Sequence, residues 1–254
     1  MNLDVPVADL IAVMLGAVRA GAWMMVSPPF QSRLIPPQVK ALLSVGLALP
    51  MLPYLREGVP PTTTADLVAS AALQVFVGAA LGFVTLLFFS AVQAAGDLLD
   101  LFGGFTLATA YDPLSQNQSS VFGRFYNLMA VTLLFATEGH QLVLRGFLRT
   151  FRTLPLDASI SLSTLTDLLT HGIADMFLAA LQIAGPLIAV LFLTDAAFGL
   201  LNRVAPALNA FQLGFPAKIF LVLALVGTAI TVLPGTVDNL VDRAVTAVVG
   251  LTSP

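Results

Sequence analysis

The chain has 254 residues, of which 57% are apolar and only 10% are charged. A soluble domain has about 25% charged residues because its surface must face water, so this composition argues against a soluble enzyme and predicts surfaces that face lipid or protein. The net charge of −3 and the presence of only two lysines, Lys40 and Lys218, argue against a nucleic-acid partner. The lack of cysteine excludes disulfides and thiolate metal sites.

Six apolar segments follow one another along the chain, at 7–27, 38–55, 66–96, 122–148, 174–201 and 216–237. A membrane span needs about 20 mainly apolar residues. The third segment is longer than that and the second is interrupted by prolines, so their lengths favour helices packed on helices over six uniform spans. The start of the chain lacks the positive region of a signal peptide, and we expect the first segment to be a retained helix.

Proline pairs separate the first three segments, at 28–29, 36–37 and 60–61. The residue before a proline is pushed out of the helical region, so these pairs predict helix ends. Arginine and lysine divide five against five between the two sides of a six-span chain, and the positive-inside rule therefore gives no orientation. The sequence predicts an all-α fold in a single helical domain, 1–254.

Two carboxylates, Asp97 and Asp100, lie one helical turn apart at the end of the third segment. Ionisable residues at membrane depth usually face a cavity or a partner, although a solvated helix end would explain them equally well. His140 has no second histidine or carboxylate at helical spacing, so neither a metal site nor a cofactor is expected.

Small residues recur four apart in the third segment, at Gly78 and Gly82. This spacing lets two helix backbones approach closely. It predicts tight helix packing without identifying the neighbouring helix.

No hydrolase triad, phosphate-binding glycine loop or metal-ligand spacing occurs in the sequence. This argues against catalysis. An independent secondary transporter for a small solute or ion remains an alternative, although such folds usually show broken helices in repeated halves. A membrane-embedded enzyme would need convergent polar groups within the helices, and only isolated ones are present.

Three stretches of the sequence combine glycine, proline and polar residues in distinctive motifs. The first is Gly-Asp-Leu-Leu-Asp at 96–100, followed by a glycine-rich stretch that closes in Asp-Pro at 112–113. The second combines Gly-His at 139–140 with a Phe…Leu-Pro turn that ends at 155, and the third runs from 199 to 218. Together they resemble the motifs of the FliR family, and Gly-Phe-Pro at 214–216 favours its flagellar branch over the related SctT/SpaR type of virulence secretion systems.

The resemblance implies a structural subunit of a protein-export channel with no catalytic activity, in the bacterial inner membrane and the flagellar basal body. Members of this family assemble with FliP and FliQ into an export gate and contact FlhB, and unfolded flagellar subunits pass through its centre. Their apolar segments form helical hairpins that pack against neighbouring subunits. Membrane lipid is the other partner expected.

The resemblance also implies two sets of functional residues. The family's mid-chain loop helps to close the channel and corresponds here to 103–121, where an apolar constriction would exclude water and ions. The candidates for this plug are Gly103, Gly104, Phe105, Leu107, Tyr111, Asp112 and Pro113. The candidates for subunit interfaces are Asp97, Asp100, Asn202, Arg203, Pro206, Asn209, Phe211, Gly214, Phe215, Pro216 and Lys218.

Overall fold

The structure is a computed structural model that describes residues 6–28, 30–32, 34–59, 63–106, 120–157, 162–206 and 210–250. Eight α-helices lie in these residues: α1 Val7–Val26, α2 Pro37–Ala48, α3 Leu52–Leu55, α4 Thr64–Gly103, α5 Val121–Ala136, α6 Gly139–Thr153, α7 Leu162–Val204 and α8 Ala210–Gly250. The described part of the chain contains no strand, and the predicted all-α fold is confirmed.

Three helices are longer than the apolar segments that predicted them. Helix α4 continues to Gly103 instead of ending at residue 96, and α7 and α8 extend beyond their segments at both ends. Pro186 lies inside α7, and Pro216 and Pro234 lie inside α8. Helices in apolar surroundings tolerate proline because neighbouring groups satisfy the freed carbonyls. Hydropathy and proline positions therefore predicted where these helices lie, but the predicted ends were wrong.

The fourth apolar segment forms two helices instead of one. Helix α5 ends at Ala136, and α6 begins at Gly139 after Glu138, which adopts a left-handed conformation with φ of 59°. Positive φ is uncommon outside glycine, so the backbone at Glu138 departs from helical geometry and separates the two helices. In α6, buried Val143, Phe147 and Phe151 lie on one face.

The chain divides into two compact units. The first comprises Met1–Phe88, Glu138–Ile173 and Leu240–Pro254, and the second comprises Phe89–Thr137 and Ala174–Asn239. The prediction of one helical domain over 1–254 stays a prediction.

The core of the first unit contains stacked aromatic rings. The rings of Trp23 and Phe147 are parallel, with centroids 4.4 Å apart, and Phe147 meets Phe151 edge to face at 5.3 Å. Helices α1 and α4 approach closely beside this core, since a Cβ added at Gly78 would lie 2.2 Å from the carbonyl oxygen of Arg19. The tight packing expected of Gly78 is therefore confirmed, and α1 is the neighbour.

Four helical stretches among the described residues are long and apolar enough to cross a membrane: Val7–Val26, Pro37–Leu55, Thr64–Gly103 and Leu169–Val204. Their most apolar windows are buried to different extents, with only 17% of the window buried in Pro37–Leu55 and 28% in Leu169–Val204. Both stretches therefore expose apolar side chains that need lipid or another protein to cover them.

Candidate functional site

Asp100 joins the end of α4 to the start of α5 in the second unit. Its side chain is buried, with 2% of the residue exposed, and its Oδ2 accepts hydrogen bonds from the Ser120 hydroxyl and, over 3.0 Å, from the Phe122 backbone N–H. Ser120 in turn caps α5 by accepting from the Gly123 N–H at 2.8 Å. A carboxylate is favourable here because the N-terminus of a helix carries partial positive charge.

Two glycines let α4 and α5 cross in close contact beside Asp100. A Cβ added at Gly96 would lie 2.4 Å from the carbonyl oxygen of Phe122, and one added at Gly123 would lie 1.9 Å from Oδ1 of Asp97. Real Cβ atoms do not approach this closely. In the Gly-Asp-Leu-Leu-Asp motif, the glycine therefore allows close contact between α4 and α5, and the second aspartate caps the N-terminus of α5.

The residues that follow α4 pack against α8 within the second unit. Gly104 has φ of +83°, and a Cβ added there would lie 3.1 Å from the ring of Phe215. Phe105 meets Phe122 edge to face, with ring centroids 5.1 Å apart. Predicted plug and interface residues thus touch: Gly104 belongs to the mid-chain motif, and Phe215 belongs to the C-terminal one.

Lys218 on α8 forms an ion pair with Asp195 on α7, with Nζ 2.5 Å from Oδ1. It also donates to the carbonyl oxygen of Phe102, at 3.5 Å, in the last turn of α4. A cation is favourable at this point because a helix C-terminus carries partial negative charge. We call Lys218, Asp195 and Phe102 the Lys218 clamp. It holds the C-terminal motif against the end of α4.

The other predicted site residues are distributed as follows. Asn202, Arg203 and Pro206 are exposed at and after the end of α7, and Gly214 is buried beside the Phe198 ring, 3.6 Å from an added Cβ. Pro216 is exposed on α8, and Phe211 belongs to the first turn of the same helix. Leu107, Tyr111, Asp112, Pro113 and Asn209 lie outside the described residues.

A buried polar cluster in the first unit was not predicted from the sequence. Arg19 is completely buried, and its Nε donates to Oε1 of Gln74 at 2.6 Å while its Nη1 donates to the Leu154 carbonyl at 2.8 Å. Gln74 donates to the Leu156 carbonyl at 2.8 Å, and the Arg19 guanidinium lies 5.0 Å from the centre of the Phe151 ring. We call Arg19, Gln74 and the carbonyls of 154–156 the Arg19 cluster.

The Arg19 cluster fixes the Leu-Pro turn that follows α6. Its only sequence signal is one arginine and one glutamine isolated in apolar helices, and such residues usually find a polar partner within the protein.

Near the start of α1, Asp9 pairs with Arg56 at 2.6 Å. The hydrogen bonds that Arg56 donates to Asp9, and then the negative charge of Asp9, raise the pKa of Arg56 above its ordinary value.

Comparisons with known proteins identify the family. The family model described as bacterial export proteins, family 1, matches residues 10–244. The flagellar biosynthetic protein FliR of Pectobacterium carotovorum is 31% identical over 223 residues, which cover 88% of this chain and 85% of the relative. FliR of Escherichia coli K12 is 33% identical, over 78% of this chain and 76% of the relative, and FliR of Bacillus subtilis 168 is 30% identical, over 82% of each. The chain therefore belongs to the FliR family of bacterial export proteins.

Proposed function

We propose that this chain is a structural and gating subunit of a flagellar protein-export channel in the bacterial inner membrane. In this role it assembles with FliP, FliQ and FlhB homologues, and unfolded flagellar subunits pass through the assembly. It has no catalytic role. The observation that carries the proposal is the family match over residues 10–244, together with relatives named as flagellar biosynthetic proteins.

The apolar surface of the chain supports a place inside an assembly. Leu42 is 73% exposed on α2, Phe192 and Leu193 are each 65% exposed on α7, and Phe220 is 71% exposed on α8. Water would disfavour this surface by about 25 cal/mol for each Å2 left exposed. Burial against neighbouring subunits or lipid removes that cost.

The anchors of the mid-chain segment support the gating role. The Asp100–Ser120 hydrogen bond holds the end of this segment beside α4, and Gly104 holds its start against the Phe215 ring. The segment therefore begins and ends on one rigid support, the packed ends of α4, α5 and α8. A plug needs such a support, because a seal displaced by passing substrate has to return to the same position.

Co-purification and export assays test the assignment to an export gate. The chain, tagged at one end and extracted from membranes of a flagellated host, is expected to carry FliP and FliQ homologues with it. A strain without the gene is expected to lose secretion of flagellar subunits and to recover it with the intact gene. Normal secretion in the deletion strain would contradict the proposal. So would a chain that purifies as a stable monomer and takes up a small solute in proteoliposomes.

A further inference from the structure

An apolar groove lies between α1 and the α2–α3 pair in the first unit. Its volume is about 580 Å3. Apart from Asp9, Lys40 and Ser44, its lining is apolar, and it includes Leu10, Val13, Met14, Ala17, Val18 and Val45. The hydroxyl of Ser44 is already used, since it donates to the carbonyl oxygen of Lys40 at 2.7 Å. The groove therefore offers a hydrophobic surface with charge only at its ends.

The groove runs along two antiparallel candidate membrane spans. Gly21 lies beside Ser44, and Gly16 lies beside Ala48, so α1 and α2 run in opposite directions. Each belongs to a stretch long enough to cross a membrane, Val7–Val26 or Pro37–Leu55. Phospholipid acyl chains also run roughly along the direction of membrane spans. The groove is thus oriented to accept one.

The two ends of the groove differ in charge. At one end Asp9 is already paired with Arg56 at 2.6 Å. At the other end Lys40 is half-buried in the first turn of α2, and no described carboxylate forms an ion pair with it. A lysine in the first turn of a span can bury its stem in apolar surroundings while its ammonium reaches the headgroup region. This end of the groove suits the phosphate of a lipid.

We propose that the groove holds one acyl chain of an anionic membrane phospholipid, whose phosphate contacts the ammonium of Lys40. This inference goes beyond the export function and does not depend on it, since it needs only a membrane around the first two spans.

The length of the groove suits an acyl chain. From residue 10 to residue 25 it follows α1 for roughly 22 Å at 1.5 Å per residue, so a chain that enters beside Lys40 has apolar lining along the roughly 15 Å of hydrocarbon in one leaflet. The headgroup of the same molecule would place its phosphate beside Lys40, with which no described carboxylate forms an ion pair.

Photo-crosslinking tests the proposal on the chain in its native membrane assembly. The assembly is purified with its partners and reconstituted in phosphatidylcholine that contains a trace of phosphatidylglycerol with a diazirine in its acyl chain. After illumination, peptide mass spectrometry is expected to find the label concentrated on the residues that line the groove, among them Val13, Met14, Ala17, Val18, Ala41 and Val45.

Matched variants separate the groove from general exposure to lipid. Ala41→Trp fills the groove and is expected to abolish this label, whereas Leu42→Trp, at an exposed neighbour outside the groove, is expected to keep it. Lys40→Gln should reduce the preference for phosphatidylglycerol over phosphatidylcholine about fivefold, the effect of one basic side chain at a membrane surface. Lys40→Arg should retain that preference.

Three results would overturn the proposal. The label could be spread evenly over exposed apolar residues such as Leu42 and Phe220. Ala41→Trp could label as strongly as the native chain. The groove could remain unlabelled in the assembly while an adjacent subunit crosslinks to it, which would make the occupant a protein.

Discussion

The carboxylate of Asp100 accepts a hydrogen bond over 3.0 Å from the backbone N–H of Phe122, 22 residues further along the chain. This contact fixes the start of α5 beside the end of α4. The segment between the two helices is the one to which family resemblance assigns the plug. A buried hydrogen bond therefore lies where the predicted plug segment joins α4 and α5. Substitutions at Asp100 and at neighbouring contacts test how much these contacts stabilise the protein.

Asp100→Ala is expected to lower the stability of the assembly by about 1–3 kcal/mol, because it leaves the buried Phe122 N–H without its acceptor. Thermal unfolding of the purified assembly measures this change. Thr132→Ala is the control, since that exposed hydroxyl bonds only to the Leu128 carbonyl in its own helix. Its effect should stay within about 0.5 kcal/mol. Equal effects of the two substitutions would show that Asp100 does not hold α5.

Gly104→Ala is expected to cost about 1–2 kcal/mol, because a Cβ is disfavoured in the left-handed region and would press against the Phe215 ring. Gly104→Asn should meet a smaller conformational cost, since asparagine adopts this region more readily. The control is Gly227→Ala on α8, where an added Cβ meets no neighbour. Thermal unfolding of the three variants checks this order of stability, and an alanine at 104 that matches the native chain would refute it.

The Lys218 clamp is expected to contribute modestly to stability, since the Asp195 side chain is 51% exposed and exposed ion pairs are worth about 0.2–1 kcal/mol. A double-mutant cycle with Lys218→Gln and Asp195→Asn measures the coupling between the two residues. We expect the coupling to fall in that range and to decrease with added salt. A coupling of zero would mean that the 2.5 Å contact contributes nothing to holding α7 against α8.

Arg19→Met is expected to be the most destabilising of these changes. It removes the donors that satisfy Gln74 and the Leu154 carbonyl, and each buried acceptor left unpaired costs about 1–3 kcal/mol. Adding Gln74→Leu removes one of those orphaned acceptors, so the double variant should lose less than the sum of the two single variants.

Arg124→Met provides the control for the loss of a charge, since Arg124 is exposed on α5. Its effect should stay within about 0.5 kcal/mol. Strict additivity of Arg19→Met and Gln74→Leu would show that the two side chains do not act as one cluster.

Hydropathy and proline positions predicted the helices better than their ends. The third segment was expected to end at residue 96 because Asp97 and Asp100 are charged, yet α4 continues to Gly103. The reason lies in a tertiary contact: Oδ2 of Asp100 accepts hydrogen bonds from Ser120 and Phe122. The break at Glu138 does have a local signal, since residues 137–141 read Thr-Glu-Gly-His-Gln, but an apolar segment drawn from 122 to 148 passes over it.

Family motifs led to Gly104, Phe215 and Lys218, and the structure brings these residues together at the end of α4. The plug and interface roles assigned to them stay predictions. The Arg19 cluster was missed because its partners are far away in sequence, with Leu154 135 residues from Arg19. Spacing along one helix cannot reveal such a contact. An isolated charge in an apolar helix signals only that a partner exists.

Ion permeability of the assembled gate tests whether the mid-chain segment closes the channel. Residues 108–117 are removed, which keeps the anchors Gly104, Phe105 and Ser120, and the variant gate is purified and reconstituted in liposomes at the same amount as the native gate. We expect the shortened gate to leak ions across the membrane while the native gate does not, because the segment that closes the channel has been shortened. A fully assembled shortened gate that stays as tight as the native one would contradict it.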